Sequence, residues 1–215
     1  MRAYLLIMLA AAAVTFVGTY LVLKLAHKYK IYPQIRSRDV HTKPTPRLGG
    51  VAMFFGFAAA VLVAGSLGWF ESVFAEPVHI LAILAAAFLI TVIGFLDDLY
   101  DLDWSLKLAG QFVVAGILAW QGVQIVSLPV AGLTIGSFGI SFVVTVFLTV
   151  LVMNAVNFID GLDGLVAGVV LIGTVVFFAY SYLLAKQTSP TNYFNLASLI
   201  SAIVIGMCVG FLPYN

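Results

Sequence analysis

Six of the nine acidic residues fall in two short segments, Gly94-Phe-Leu-Asp-Asp-Leu-Tyr-Asp-Leu-Asp103 and Asn154-Ala-Val-Asn-Phe-Ile-Asp-Gly-Leu-Asp-Gly164. Asp97 and Asp98 are adjacent, and neighbouring carboxylates repel unless water, a base or a metal compensates them. Mg2+ suits such a pair because it prefers hard oxygen ligands and uses one or two carboxylates together with substrate phosphates. Mn2+ is the alternative ion. A solvated helix end would carry the same residues without chemistry. In the second segment Asp160 and Asp163 are three apart, and Asn157 and Asn154 continue the same helical face one turn at a time. Four oxygen-bearing side chains then form one stripe. Gly161 and Gly164 either break the helix or let a ligand approach the backbone. The competing reading is a set of polar caps around a turn.

Candidate cations lie elsewhere. The segment His41-Thr-Lys-Pro-Thr-Pro-Arg-Leu-Gly-Gly50 joins three possible cations to two prolines that stiffen the chain. Arg47 can make a bidentate contact with phosphate and Lys43 a point-charge contact. Both also serve as plain topology signals. His41 titrates near neutrality and is either a base or a solvated loop residue. Lys107 follows the first acidic segment, with Gln111 one turn later on the same face. Each fits contact with a phosphate or base, and each equally fits a snorkelling lysine and a packing glutamine.

The elements that must position these residues are apolar. Hydrophobic residues make up 63% of the 215 and charged residues 9%, against roughly a quarter charged in a soluble domain; the mean hydropathy is +1.13. A spanning helix needs about 20 mostly apolar residues. Apolar windows predict spans near 3–25, 49–68, 78–96, 105–121, 140–158, 165–185 and 196–212. The fold class is therefore all-α, a polytopic transmembrane helical bundle of about seven spans. Weak alternation from Val123 to Ser141 around Pro129 and Gly132 predicts a short external β-hairpin. The first window outruns the roughly 7 to 15 apolar residues of a signal peptide, so it is read as a retained span. Cys208 is the one cysteine and has no intrachain partner. A net charge of +1 gives no basic field for nucleic acid.

Seven of the ten Lys and Arg residues, Lys24, Lys28, Lys30, Arg36, Arg38, Lys43 and Arg47, flank or fill the first loop. The positive-inside rule makes that loop cytoplasmic. Counting spans then puts both acidic segments and Pro213 to Asn215 on the same side. Trp69, Trp104, Trp120 and Tyr100 fall near span ends, as interfacial anchors do.

These three segments, in order and on one predicted face, resemble the polyprenyl-phosphate N-acetylhexosamine-1-phosphate transferases, of the glycosyltransferase 4 type. Pro-Thr-Pro-Arg-Leu-Gly-Gly looks more like the branch that uses UDP-N-acetylglucosamine than the phospho-N-acetylmuramoyl-pentapeptide transferases. The resemblance implies a magnesium-dependent enzyme of the bacterial plasma membrane with its site on the cytoplasmic face. It would transfer N-acetylglucosamine 1-phosphate to undecaprenyl or decaprenyl phosphate, release UMP and start a cell-envelope glycan. Its partners are the UDP-sugar, the polyprenyl phosphate and the bilayer, with a homo-oligomer allowed. By similarity Asp97 and Asp98 are catalytic and face the metal, with Asn154 a further ligand. Asp160 and Asp163 complete the acidic site beside Asn157, and Asn215 contacts the nucleotide. Lys43, Arg47 and Lys107 join them as substrate contacts.

The family's pattern continues past Asn215 with a Met-Gly-Asp-containing loop and a histidine-rich loop. The expectation is thus a single membrane transferase domain over residues 1–215, truncated at its C-terminal end. Asp160-x-x-Asp-Gly-x-x-Ala167 also opens the motif of the CDP-alcohol phosphotransferases, but Gly168 stands where they have arginine. A cation transporter or channel would spread its acids through the bilayer depth. Here they gather at one edge.

Overall fold

A computed structural model describes residues 1–29, 48–127, 137–160, 164–189 and 192–215. Helices α1 (Arg2–Tyr29), α2 (Gly49–Ser66), α3 (Glu71–Phe74), α4 (Pro77–Tyr100), α5 (Trp104–Trp120), α6 (Phe138–Ile159), α7 (Leu165–Thr188) and α8 (Leu196–Phe211) follow in order, with 3-10 turns at Gly68–Phe70 and Leu212–Tyr214. Two compact units result, Met1–Glu76 with Gly161–Asn215, and Pro77–Asp160. The three basic candidates His41, Lys43 and Arg47, and also Asp163, lie outside the described residues.

Six described helices, rather than the expected seven, are long and apolar enough to cross a membrane. The exception is α5, with 17 residues, whereas α8 continues through its 3-10 turn to give an apolar span Leu196–Tyr214 of 19 residues. The length of α5 is fixed by an Asp103 cap at one end and by Gln121 and Gly122 at the other, where Gly122 takes φ +84°. At 1.5 Å per residue it reaches about 25 Å, short of a hydrocarbon core of about 30 Å. Only 11% of the apolar window of α6 is buried within the protein, and Phe147 and Val152 stand exposed on it. Such a helix needs a lipid solvent, and its β-branched residues hold helical form because the backbone has no other hydrogen-bond partner there. The chain is a multi-pass membrane protein.

The expected β-hairpin is absent among the described residues, while 128–136 lie outside them. Instead the Ile125 N–H donates to Thr145 Oγ1 at 2.9 Å, and Ser141 Oγ donates to the Ile125 carbonyl at 2.6 Å. Side chains of α6 thus satisfy the main-chain groups that a strand partner would otherwise have taken.

In the first unit α1 packs on α2 and α8 through small residues. A Cβ on Gly56 would overlap Thr15 Oγ1, and one on Gly206 or Gly210 would overlap the carbonyl oxygens of Met8 or Ala12. Close backbone approach of this kind is how membrane helices gain van der Waals contact when lipid supplies no hydrophobic drive. At one end of the unit Tyr4 is fully buried among Phe70, Phe178, Tyr182 and Phe194, with ring centroids 5.3 to 5.8 Å away.

Candidate active site

The second unit contains the described acidic candidates. Helix α4 carries Asp97 and Asp98 in its last turn and ends at Tyr100. The chain then reverses through Asp101, whose φ of +48° lies in the left-handed region that aspartate tolerates better than most residues. The reversal is closed by Asp97, whose Oδ1 accepts the Leu102 N–H at 3.0 Å. Asp103 starts α5 by accepting the Ser105 N–H at 3.1 Å and the Ser105 hydroxyl. These Ser105 contacts hold the Asp103 carboxyl below its ordinary range, the hydroxyl contributing most and the backbone amide next.

A three-residue turn between α4 and α5 leaves Lys107 one turn into α5 and directly against the last turn of α4. Its Nζ lies 2.6 Å from Asp97 Oδ1, with both side chains about three-quarters buried (24% and 25% exposed). Both contacts of Asp97 fall on one oxygen. The sequence offered Lys107 as a substrate contact; the structure gives it a carboxylate partner as well.

Helix α6 brings the second acidic segment to the same end of this unit. It runs antiparallel to α5, since Ile125, just beyond α5, is tied to Ser141 and Thr145 at the start of α6. Asp160 therefore lies at the Trp104 end of α5. The predicted stripe holds through Asn154 and Asn157, but α6 stops at Ile159, and Asp160 leaves the helix with ψ 71°. Of the two readings of the glycines, helix breaking is the one observed at Gly164, which has φ +69° and precedes α7. Gly161 lies outside the described residues.

Helices α4 and α6 both end among acids. Carbonyl groups at a helix C-terminus carry partial negative charge, so anions there are unfavourable and cations favourable. Asp97, Asp98 and Asp160 thus oppose the local backbone field, and Lys107 answers part of it. Carboxylate oxygens in such a field suit a hard cation, although among the described residues no three His, Cys, Asp or Glu side chains gather closely enough to hold one by themselves.

Deeper in the unit, Asn154 Nδ2 donates to Gln111 Oε1 at 2.6 Å and to the Val150 carbonyl at 2.8 Å. The expected metal-ligand role of Asn154 thus meets a side chain already paired with Gln111. The available signal was depth: Gln111 is seven residues into α5 and Asn154 six before Asp160, so helical rise places each about 10 Å from the acidic end. Beside the pair an apolar groove of about 570 Å³ is lined by Ile90, Gln111, Ile125, Leu148, Val152 and Val156, among others. Asn215 belongs to the other unit, where it is exposed after the last 3-10 turn and its N–H donates to the Leu212 carbonyl at 3.2 Å.

Fold and site together define a membrane-embedded helical protein with carboxylates and a paired lysine at one end of a three-helix unit. The chain belongs to glycosyl transferase family 4, whose model matches residues 80–215. It is 38% identical over 221 residues to the decaprenyl-phosphate N-acetylglucosaminephosphotransferase of Mycobacterium leprae, covering 100% of this chain and 55% of that protein. The protein of the same description from Mycolicibacterium smegmatis is also 38% identical, with 100% and 54% covered. A phospho-N-acetylmuramoyl-pentapeptide-transferase of Desulforudis audaxviator is 31% identical over 242 residues, covering 96% of this chain and 68% of that protein. The chain spans about half the length of the decaprenyl-phosphate relatives it matches.

Proposed function

We propose that the full-length protein transfers N-acetylglucosamine 1-phosphate from UDP-N-acetylglucosamine to a polyprenyl phosphate. The observation that carries this is the continuity of one polar end with one apolar trough. Asp97, Lys107, Gln111 and Asn154 lead from the acidic turn to a groove on helices that face lipid. An acceptor with a charged head and a prenyl tail has that polarity. The higher identity to the N-acetylglucosamine-phosphate relatives than to the muramoyl-pentapeptide relative supports the sugar.

In this reading an oxygen of the lipid phosphate attacks the sugar-bearing phosphorus. A new P–O–P bond joins lipid to sugar phosphate, the bond between the two phosphates of UDP breaks, and UMP leaves with that bond's electrons. If the acceptor arrives protonated, a carboxylate of the Asp97–Asp98 pair takes the proton. Lys107 orients Asp97 and offers positive charge to the phosphates. Mg2+, held by the Asp97–Asp98 carboxylates together with substrate phosphate oxygens, would neutralise charge on the transferred group. Asn154, committed to Gln111 and Val150, is less suited than the carboxylates to hold that ion. Asp160 and Asn157 approach the same end. The expected cytoplasmic placement of this site, in a bacterial plasma membrane, rests on the seven basic residues around the first loop and on the bacterial relatives.

The test supplies full-length protein with radiolabelled UDP-sugars and polyprenyl phosphate, then identifies the lipid product and the released nucleotide. Lipid diphosphate N-acetylglucosamine with UMP is expected. Lipid-linked muramoyl-pentapeptide would move the protein to the other branch, and absence of any lipid product would end the transferase reading.

A further inference from the structure

The Gln111–Asn154 pair is an incomplete hydrogen-bond set in an apolar place. A glutamine amide carries two N–H donors and an acceptor oxygen, as does asparagine. Asn154 spends its nitrogen on Gln111 Oε1 and the Val150 carbonyl. Among the described residues neither Gln111 Nε2 nor Asn154 Oδ1 has a partner. Gln111 is only 8% exposed, and it lines the groove. Amide N–H groups left unpaired against hydrocarbon are costly, so the place asks for an acceptor.

The rest of the groove says what kind. Ile90, Leu148, Val152 and Val156 offer hydrocarbon, while one turn above Gln111 stands Lys107, whose ammonium is already bound to Asp97. A molecule with its tail among those residues and its anionic head toward Lys107 passes Gln111 at the junction between the two. We propose that Gln111 is a positioning residue for the lipid phosphate: with Oε1 anchored by Asn154, Nε2 donates to a phosphate oxygen and sets the depth of the head below the acidic turn. The proposal rests on the acceptor being a polyprenyl phosphate.

The test measures binding and turnover separately, in full-length protein reconstituted in nanodiscs. Gln111→Met keeps an unbranched side chain of similar length without the amide. Gln111→Glu keeps an oxygen for Asn154 while replacing the donor by a second anion. Affinity for polyprenyl phosphate is expected to fall about tenfold in Gln111→Met, the weight of a hydrogen bond to a charged group, and further in Gln111→Glu. Affinity for the uncharged polyprenol and the KM for UDP-sugar should stay near wild type in Gln111→Met, while its Tm falls because Asn154 loses an acceptor. Equal loss for polyprenol and its phosphate, or a lowered Tm with unchanged phosphate affinity in both variants, would make Gln111 a packing residue and overturn the proposal. Wild-type protein that binds polyprenyl phosphate in a Gln111-dependent way yet transfers no sugar phosphate would sustain the positioning role and remove the proposed reaction.

Discussion

Asp97 Oδ1 accepts from two directions at once, the Leu102 N–H that closes the turn after α4 and the Lys107 ammonium one turn into α5. The carboxylate fixes the loop that delivers its own cation. Positioning and charge are thus joined in one residue, and substitutions there separate badly unless a partner is changed as well.

In the full-length enzyme Asp97→Asn, Asp98→Asn and Asp160→Asn are each expected to lower turnover at least ~100-fold, the weight of about 3 kcal/mol of lost electrostatic stabilisation. Lys107→Met should fall as far, and the Asp97→Asn/Lys107→Met double variant should lose less than the product of the two singles, because the charges act on each other. Steady-state turnover of purified variants, with expression and Tm recorded alongside, decides it. Near-wild-type turnover of Asp97→Asn or Asp98→Asn would take the carboxylate pair out of the mechanism.

Asp103 behaves differently because its contacts are those of a helix cap. Its folded pKa is depressed by the Ser105 hydroxyl and amide. The stabilisation is therefore present above the unfolded carboxylate range and is lost as pH falls through the lower folded value. Asn also caps helices but does not titrate. Turnover of Asp103→Asn should stay near wild type, and its Tm should decline less than wild type as pH drops below about 4. Parallel Tm curves across that interval would show that the cap carries no pH-dependent stability.

Small residues between α1 and α8 make a sharper test of packing. Gly206→Ala places a methyl group onto the Met8 carbonyl and within 2.8 Å of Ala11 Cβ, whereas Gly173→Ala meets nothing within 4 Å. Thermal unfolding in detergent should show Gly206→Ala destabilised by about 1 to 3 kcal/mol. Gly173→Ala should be neutral or slightly stabilised. Equal behaviour of the two would mean that α1 and α8 do not approach as closely as described.

Orientation can be read chemically. In a Cys208→Ala background, a cysteine at Ser105 should resist an impermeant thiol reagent applied to intact cells, while one at Ser72, on α3 before α4 in the chain, should react. Both positions are exposed, and the native Cys208 is buried. The reverse pattern would put the acidic end outside.

Helix positions were legible because lipid leaves little freedom: an apolar run in hydrocarbon must close its own hydrogen bonds, so the predicted windows at 78–96 and 165–185 sit inside Pro77–Tyr100 and Leu165–Thr188. The count failed at α5, where a cap and a glycine turn set the length more tightly than hydropathy does. The hairpin is not seen among the described residues, and alternation near Val123 cannot reveal that Ser141 and Thr145, on another element, take the main chain of Ile125. Asp97 and Asp98 were legible as adjacent charges. The tie of Asp97 to Lys107, and the pairing of Gln111 with Asn154, depend on how α4, α5 and α6 face one another, and local spacing does not carry that information.

The docking of Ile125 has a consequence for variation. Both of its hydrogen bonds use main-chain atoms, so they place no demand on the side chain beyond excluding proline, which has no N–H to give. Ser141 and Thr145 hold the segment while the residue at 125 remains interchangeable, and that residue walls one part of the groove. Mutation there can reshape the lining for a bulkier or slimmer hydrocarbon without loosening the backbone that presents it. The attachment acts as a fixed socket with a replaceable insert, and diversification of the groove is open to single substitutions.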